Sequence, residues 1–108
     1  VHLDPVNLVN SPSRCFRNAD LLRACFETLG PWVKSCHAKD IVLRENLTVH
    51  LDECAPGEGV LDYAVFLAEL DRLDPDTPLM LEHLPTAEAY AGGAAHLRAV
   101  AHTHGLAL

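Results

Sequence analysis

The stretch Trp32-Val33-Lys34-Ser35-Cys36-His37, running on into Ala38-Lys39-Asp40, decides the fold. Trp32 to His37 is apolar enough to be covered on both faces, as a strand of a parallel sheet must be. It ends on its C-terminal side in an ionisable residue. Upstream, Leu21, Leu22, Cys25, Phe26 and Leu29 recur at helical spacing over 19–29, with Asn18 as N-cap and Gly30-Pro31 as the stop. Before that helix lies a loop over 5–18 rich in Asn, Ser and Pro, and before the loop a short strand over 1–4.

Downstream, residues 41–56 are longer than an ordinary strand-to-helix connection. Ile41–Arg44 and Leu47–Leu51 flank Glu45-Asn46 and read as a small β-hairpin. Pro56-Gly57-Glu58-Gly59 is a turn, whose glycines supply unusual backbone angles. A helix follows over about 61–73, with Tyr63, Phe66, Leu67, Leu70 and Leu73 as its apolar face and Asp62 at its positive end. Pro78 to Glu82 is the third strand. Thr86 caps a last helix that runs to about His104, with Gly105 just past its end. Gly92-Gly93 weakens that helix by about 1 kcal/mol per glycine, so it must lean on packing.

Strand–helix alternation of this kind implies right-handed crossovers and a parallel sheet. Three strands alone leave two open edges, a piece of structure that wants a partner. The expected fold class is therefore α/β, with parallel strands and flanking helices. The chain has 108 residues against the roughly 250 of a complete (β/α)₈ barrel. It begins abruptly at Val1-His2-Leu3-Asp4, inside a strand, and truncation is the expected reason.

Composition is ordinary for a globular domain, with 49% hydrophobic and 21% charged residues. The net charge of −7, with no run of Lys or Arg, argues against nucleic acid or an anionic membrane surface as partner. No stretch approaches the ~20 apolar residues of a membrane span, and the first residues do not read as a secretory signal. Cys15, Cys25, Cys36 and Cys54 contain no C-x-x-C pair and read as the reduced thiols of a cytoplasmic protein.

The polar residues are unevenly placed. Each of the three apolar strands ends in an ionisable residue: Asp4, His37 and Glu82. In parallel α/β folds the C-terminal strand ends surround the active site. A lone acidic residue there is ordinarily a helix cap or turn former; three at the same topological position point to a common site. An Asp/His/Glu set suits a divalent metal ion: Mn²⁺, Mg²⁺, Co²⁺ or Zn²⁺.

Three segments carry a resemblance: His2-Leu3-Asp4-Pro5-Val6-Asn7, Ser35-Cys36-His37-Ala38-Lys39-Asp40, and Pro56-Gly57-Glu58-Gly59 leading to Asp62-Tyr63. With Leu81-Glu82-His83, they resemble the C-terminal part of the xylose isomerase-like TIM-barrel superfamily, the sugar phosphate isomerases and epimerases. The resemblance implies the last three βα units of a (β/α)₈ TIM barrel, residues 1–108 forming the C-terminal part of one domain. It implies that Asp4, His37 and Glu82 are metal ligands, and that a glutamate from an earlier strand, absent here, completes the site.

The implied activity is that of a divalent-metal-dependent isomerase or epimerase acting on a sugar, sugar phosphate or polyol; it is expected of the parent protein, with this chain a fragment inactive alone. A proton leaves the carbon next to a carbonyl, and the metal stabilises the enediolate. Glu82 would be one of the two carboxylates that move the proton. Asn7, Lys39 and Glu53 are the substrate-binding candidates. Asn7 stands where epimerases often carry a His. Lys39 with Asp40 can equally be a solvated salt pair, and Glu53 a surface-loop residue. His83 is either a supporting group or merely packed nearby. Two alternatives stay open: an inert truncated fragment that self-associates through its exposed edges, and an endonuclease IV-like DNA repair barrel, which the acidic balance disfavours.

Overall fold

In the computed structural model, which describes residues 1–108, β1 (His2–Leu3), β2 (Ser35–Ala38) and β5 (Leu79–Leu81) form a parallel sheet in the order β1-β2-β5. His2 lies opposite Ser35 and Leu3 opposite Cys36, while Cys36, His37 and Ala38 face Leu79, Met80 and Leu81. Side chains alternate across a strand, so this register divides them cleanly. Leu3, Cys36 and Ala38 are buried in the core, with Leu79 and Leu81 packed against it. The alternate positions, His2, Ser35, His37 and Met80, belong to the other face, where His2 and Met80 are exposed.

The core is filled from α2 (Asn18–Leu29) and α3 (Tyr63–Leu70). Leu22, Cys25 and Phe26 of α2 are buried with Phe66, Leu67 and Leu70 of α3, and the Phe26 and Phe66 rings lie 5.8 Å apart. Asp62 caps α3 by accepting the Val65 N–H. Thr86 caps α4 (Ala87–Thr103) by accepting from Ala89, and Gly105 follows that helix at φ +68°. Gly93 supplies the packing that α4 needs: a Cβ there would meet Leu81 at 3.3 Å, whereas Gly92 faces open space.

The residues after Ala38 turn at once into a hairpin of β3 (Asp40–Arg44) and β4 (His50–Cys54), paired from Asp40/Cys54 to Arg44/His50. This pair is a separate, antiparallel two-stranded sheet. Its presence corrects the expected fold class. The chain is a small mixed α/β domain with a three-stranded parallel sheet, a two-stranded antiparallel sheet and four helices; it is not three βα units of a (β/α)₈ barrel. The parallel strands are only two, four and three residues long. With β1 and β5 as free edges, they form an open sheet.

Smaller differences have local causes. Gly30–Trp32 is a 3₁₀ turn, Trp32 is exposed, and the central strand starts only at Ser35. The loop over 5–18 contains a 3₁₀ turn, Pro5–Leu8, and the short helix α1 (Pro12–Phe16), each opened by a proline whose fixed φ suits a first turn. Asn18 does not cap α2. Its buried amide donates to the Cys15 and Val60 carbonyls and accepts from Asp62, tying α2 to the start of α3. All four cysteines are free thiols. No helix is long and apolar enough to cross a membrane.

Candidate metal centre

Parallel pairing in register brings the C-terminal ends of the three strands side by side. Asp4 follows β1, His37 lies near the end of β2, and Glu82 follows β5. His37 Nδ1 is 3.3 Å from Asp4 Oδ2 and 3.0 Å from Glu82 Oε2. One ligand atom from each of the three side chains lies within 4.8 Å of the others. Residues 4, 37 and 82 thus converge from three separate strands.

Lys39, two residues beyond His37, points into the same space. Its ammonium is 2.8 Å from Asp4 Oδ2, 2.7 Å from Glu82 Oε2 and 3.3 Å from Glu53 Oε2. It also donates to Asn7 Oδ1 at 3.4 Å. The side chain is only 3% exposed, so Lys39 is neither solvated nor paired with Asp40. Asn7, Lys39 and Glu53, the candidate substrate-binding residues, therefore adjoin the three candidate ligands. Glu53 stands on β4 rather than in a surface loop.

Asp40 has a different task. Oδ1 accepts the N–H groups of Ile41 and Leu61, and Oδ2 those of Gly57 and Gly59, at 2.8–3.1 Å. One buried carboxylate thus organises the whole Pro56–Leu61 turn. At Gly59 a Cβ would collide with Asp40 and with the Ile41 carbonyl. Gly57 sits at φ +97°, and a Cβ there would come within 2.9 Å of the His96 ring. Tyr63 reaches back from α3 to donate to the Lys39 carbonyl, locking the backbone beneath the ammonium.

His83 closes the cluster on the solvent side. Its Nδ1 is 2.8 Å from Glu53 Oε1 and its Nε2 3.3 Å from Glu82 Oε1. Its backbone adopts φ +60°, which few residues other than glycine accept. The sequence held a signal for Asp40, an acidic residue placed 17 and 19 positions before two turn glycines. The pairing of His83 with Glu53 had none, because it depends on the hairpin folding back.

The electrostatics follow from this packing. Burial alone would lower the Lys39 pKa, but hydrogen bonds to Asp4 and Glu82 carry it above its ordinary value. The Lys39 hydrogen bond in turn holds Glu82 below the usual carboxylate range. Burial pushes the Cys36 and Cys54 thiols up to about 11 and also raises the Tyr63 phenol.

The residues present fit a divalent cation on three counts. Asp4 Oδ1 is buried with no hydrogen-bond partner, an orphaned acceptor of the kind a cation satisfies. Three carboxylates (Asp4, Glu53, Glu82) face the single Lys39 ammonium. Carboxylate oxygens and an imidazole nitrogen are the donors that Mn²⁺, Mg²⁺, Co²⁺ and Zn²⁺ share.

Comparison with protein-family models, with curated proteins and with solved structures returned no match to this chain.

Proposed function

We propose that Asp4, His37 and Glu82 hold a divalent metal ion at the centre of a sugar or polyol isomerase or epimerase site. One observation carries the proposal: the unpartnered, buried Asp4 Oδ1 lies in a cluster whose other two candidate ligands come from two further strands. The resemblance of the His37-Ala38-Lys39-Asp40 and Pro56–Gly59 segments to metal-dependent sugar isomerases supports the same chemistry, independently of the barrel those enzymes use. When bound, the ion supplies Lewis-acid polarisation of a carbonyl and counter-charge for the oxyanion beside it.

The chain's own residues do the rest. Glu82, held ionised by Lys39, is the base that takes the proton from the carbon next to the carbonyl. Lys39, which faces the same Asp4 and Glu82 oxygens that the ion would use, presents a positive charge where negative charge develops. Glu53 and Asn7, both touching Lys39, accept hydroxyl groups of the substrate. His83 keeps Glu53 and Glu82 oriented from the solvent side.

Two measurements test this. Mn²⁺ titration followed by water-proton relaxation should show binding that weakens at least about tenfold in Glu82→Gln and in His37→Ala, a loss of about 1.4 kcal/mol each. Proton NMR in D₂O with a panel of ketoses should show metal-dependent deuterium uptake next to the carbonyl, lost in Glu82→Gln. Equal Mn²⁺ affinity in all three proteins would contradict the site, and exchange that persists in Glu82→Gln would contradict its base.

A further inference from the structure

A cleft of about 350 Å³ opens beside the cluster, between the β3–β4 hairpin and the start of α4. Glu53 and His83 belong both to its wall and to the cluster, so the cleft adjoins the cluster. Arg44 and Glu58 add charge to the wall, and Leu84 and Pro85 add apolar surface. Its size lies at the small end of ligand sites, which run from about 300 Å³ upward.

Acidic groups outnumber basic ones in this wall, Glu53 and Glu58 against Arg44. The Arg44 guanidinium is 3.3 Å from Asp52 Oδ2. His83 stands between Glu53 and Glu82, at 2.8 and 3.3 Å. The Arg44 Nε–H and both ring nitrogens of His83 are thus turned towards carboxylates, and Glu58 adds another acidic group. A phosphate dianion here would face more carboxylates than basic groups. Hydroxyl groups suit the same wall well, because carboxylates accept O–H bonds. Leu84 and Pro85 suit the C–H surface of a carbohydrate. His83 holds a left-handed backbone conformation, φ +60°, at the edge of this cleft.

We propose that this cleft binds the far, hydroxyl-bearing end of an uncharged sugar or polyol and disfavours phosphorylated ones. The proposal rests on the reading of Asp4, His37 and Glu82 as the reaction centre.

The test is ¹⁵N–¹H NMR of the full chain titrated separately with D-fructose, myo-inositol, D-fructose 6-phosphate and inorganic phosphate. The expected result is saturable shifts at the amides of Ala55, Leu84 and Ala89 with at least one neutral compound, and at least about tenfold weaker effects from the two phosphates. Glu58→Lys should reverse the order by admitting the phosphates; the spectrum itself reports whether that variant is folded. Stronger shifts from either phosphate in the unaltered chain, or none from either neutral compound, would overturn the proposal. Mn²⁺ broadening at Ala38 and Glu82 is read in parallel. Broadening without neutral-compound shifts overturns the cleft alone, and those shifts without broadening overturn the metal centre alone.

Discussion

The Lys39 ammonium and the Glu82 carboxylate lie 2.7 Å apart at the ends of neighbouring parallel strands. The oxygen involved, Glu82 Oε2, is the one that His37 also faces, and Lys39 holds Asp4 Oδ2 in the same way. Without a metal ion, the lysine is the cluster's internal counter-ion.

Replacing it separates two effects. Lys39→Met keeps most of the length and removes the charge, leaving the partly exposed Asp4, Glu53 and Glu82 carboxylates without their ammonium. The metal-free variant should be less stable by urea unfolding. Because Lys39 and a metal ion use the same oxygens, Mn²⁺ should raise the melting temperature of Lys39→Met more than that of the unaltered chain. An equal or smaller rise would show that lysine and metal do not compete.

Asp40→Asn tests the anchor beneath the site. An amide can accept at one end only, so two of the four main-chain donors from Ile41, Gly57, Gly59 and Leu61 would face an NH₂ group. A loss of roughly 2–5 kcal/mol is expected in chemical unfolding. A loss under about 1 kcal/mol would mean that the turn holds itself.

Two glycine substitutions should act in opposite directions. Gly59→Ala forces a Cβ into Asp40 and the Ile41 carbonyl and should cost about 1–3 kcal/mol. Gly92→Ala, in the interior of α4 with nothing within 4 Å, should stabilise by about 0.5–1 kcal/mol. Thermal melts of the two variants decide both.

These residues also show what the sequence made legible. The three strand ends could be found because Asp4, His37 and Glu82 each terminate an apolar run, and parallel register then brings them together whatever encloses the sheet. The helix start at Thr86 was equally plain, since capping is a local interaction, whereas Asp62, read only as a charge favouring the helix's positive end, is its cap. Closure into a barrel is not local. The hairpin's patterning was visible, yet not that β3 and β4 would form a sheet of their own. Asn18 misled because an Asn before a helix reads as a cap, while its real partners, Val60 and Asp62, lie more than forty residues away. Lys39 was ambiguous for a similar reason: its three carboxylates are all distant in the chain.

Alkaline unfolding should expose the buried Cys36 thiol and the partly buried Cys54 thiol. Cys36 and Cys54 have folded pKa values of about 11 against an ordinary 9.0. A raised pKa means that the folded chain holds the proton more tightly, so this stability is complete below pH 9 and is lost as pH rises towards 11. Denaturant midpoints should fall across that window, and fall less steeply in the Cys36→Ala/Cys54→Ala double variant. An identical slope in the two proteins would contradict a contribution from the thiols.

The most direct test of the metal centre is an anomalous-difference map from crystals of the chain soaked in Mn²⁺. The expected result is a single strong peak about 2.0–2.4 Å from the oxygens of Asp4 and Glu82 and a nitrogen of His37, with Asp4 Oδ1 among its ligands. A map with no peak there, while Asp4, His37 and Glu82 converge around Lys39, would contradict the metal centre and leave a buried ion-pair network in its place.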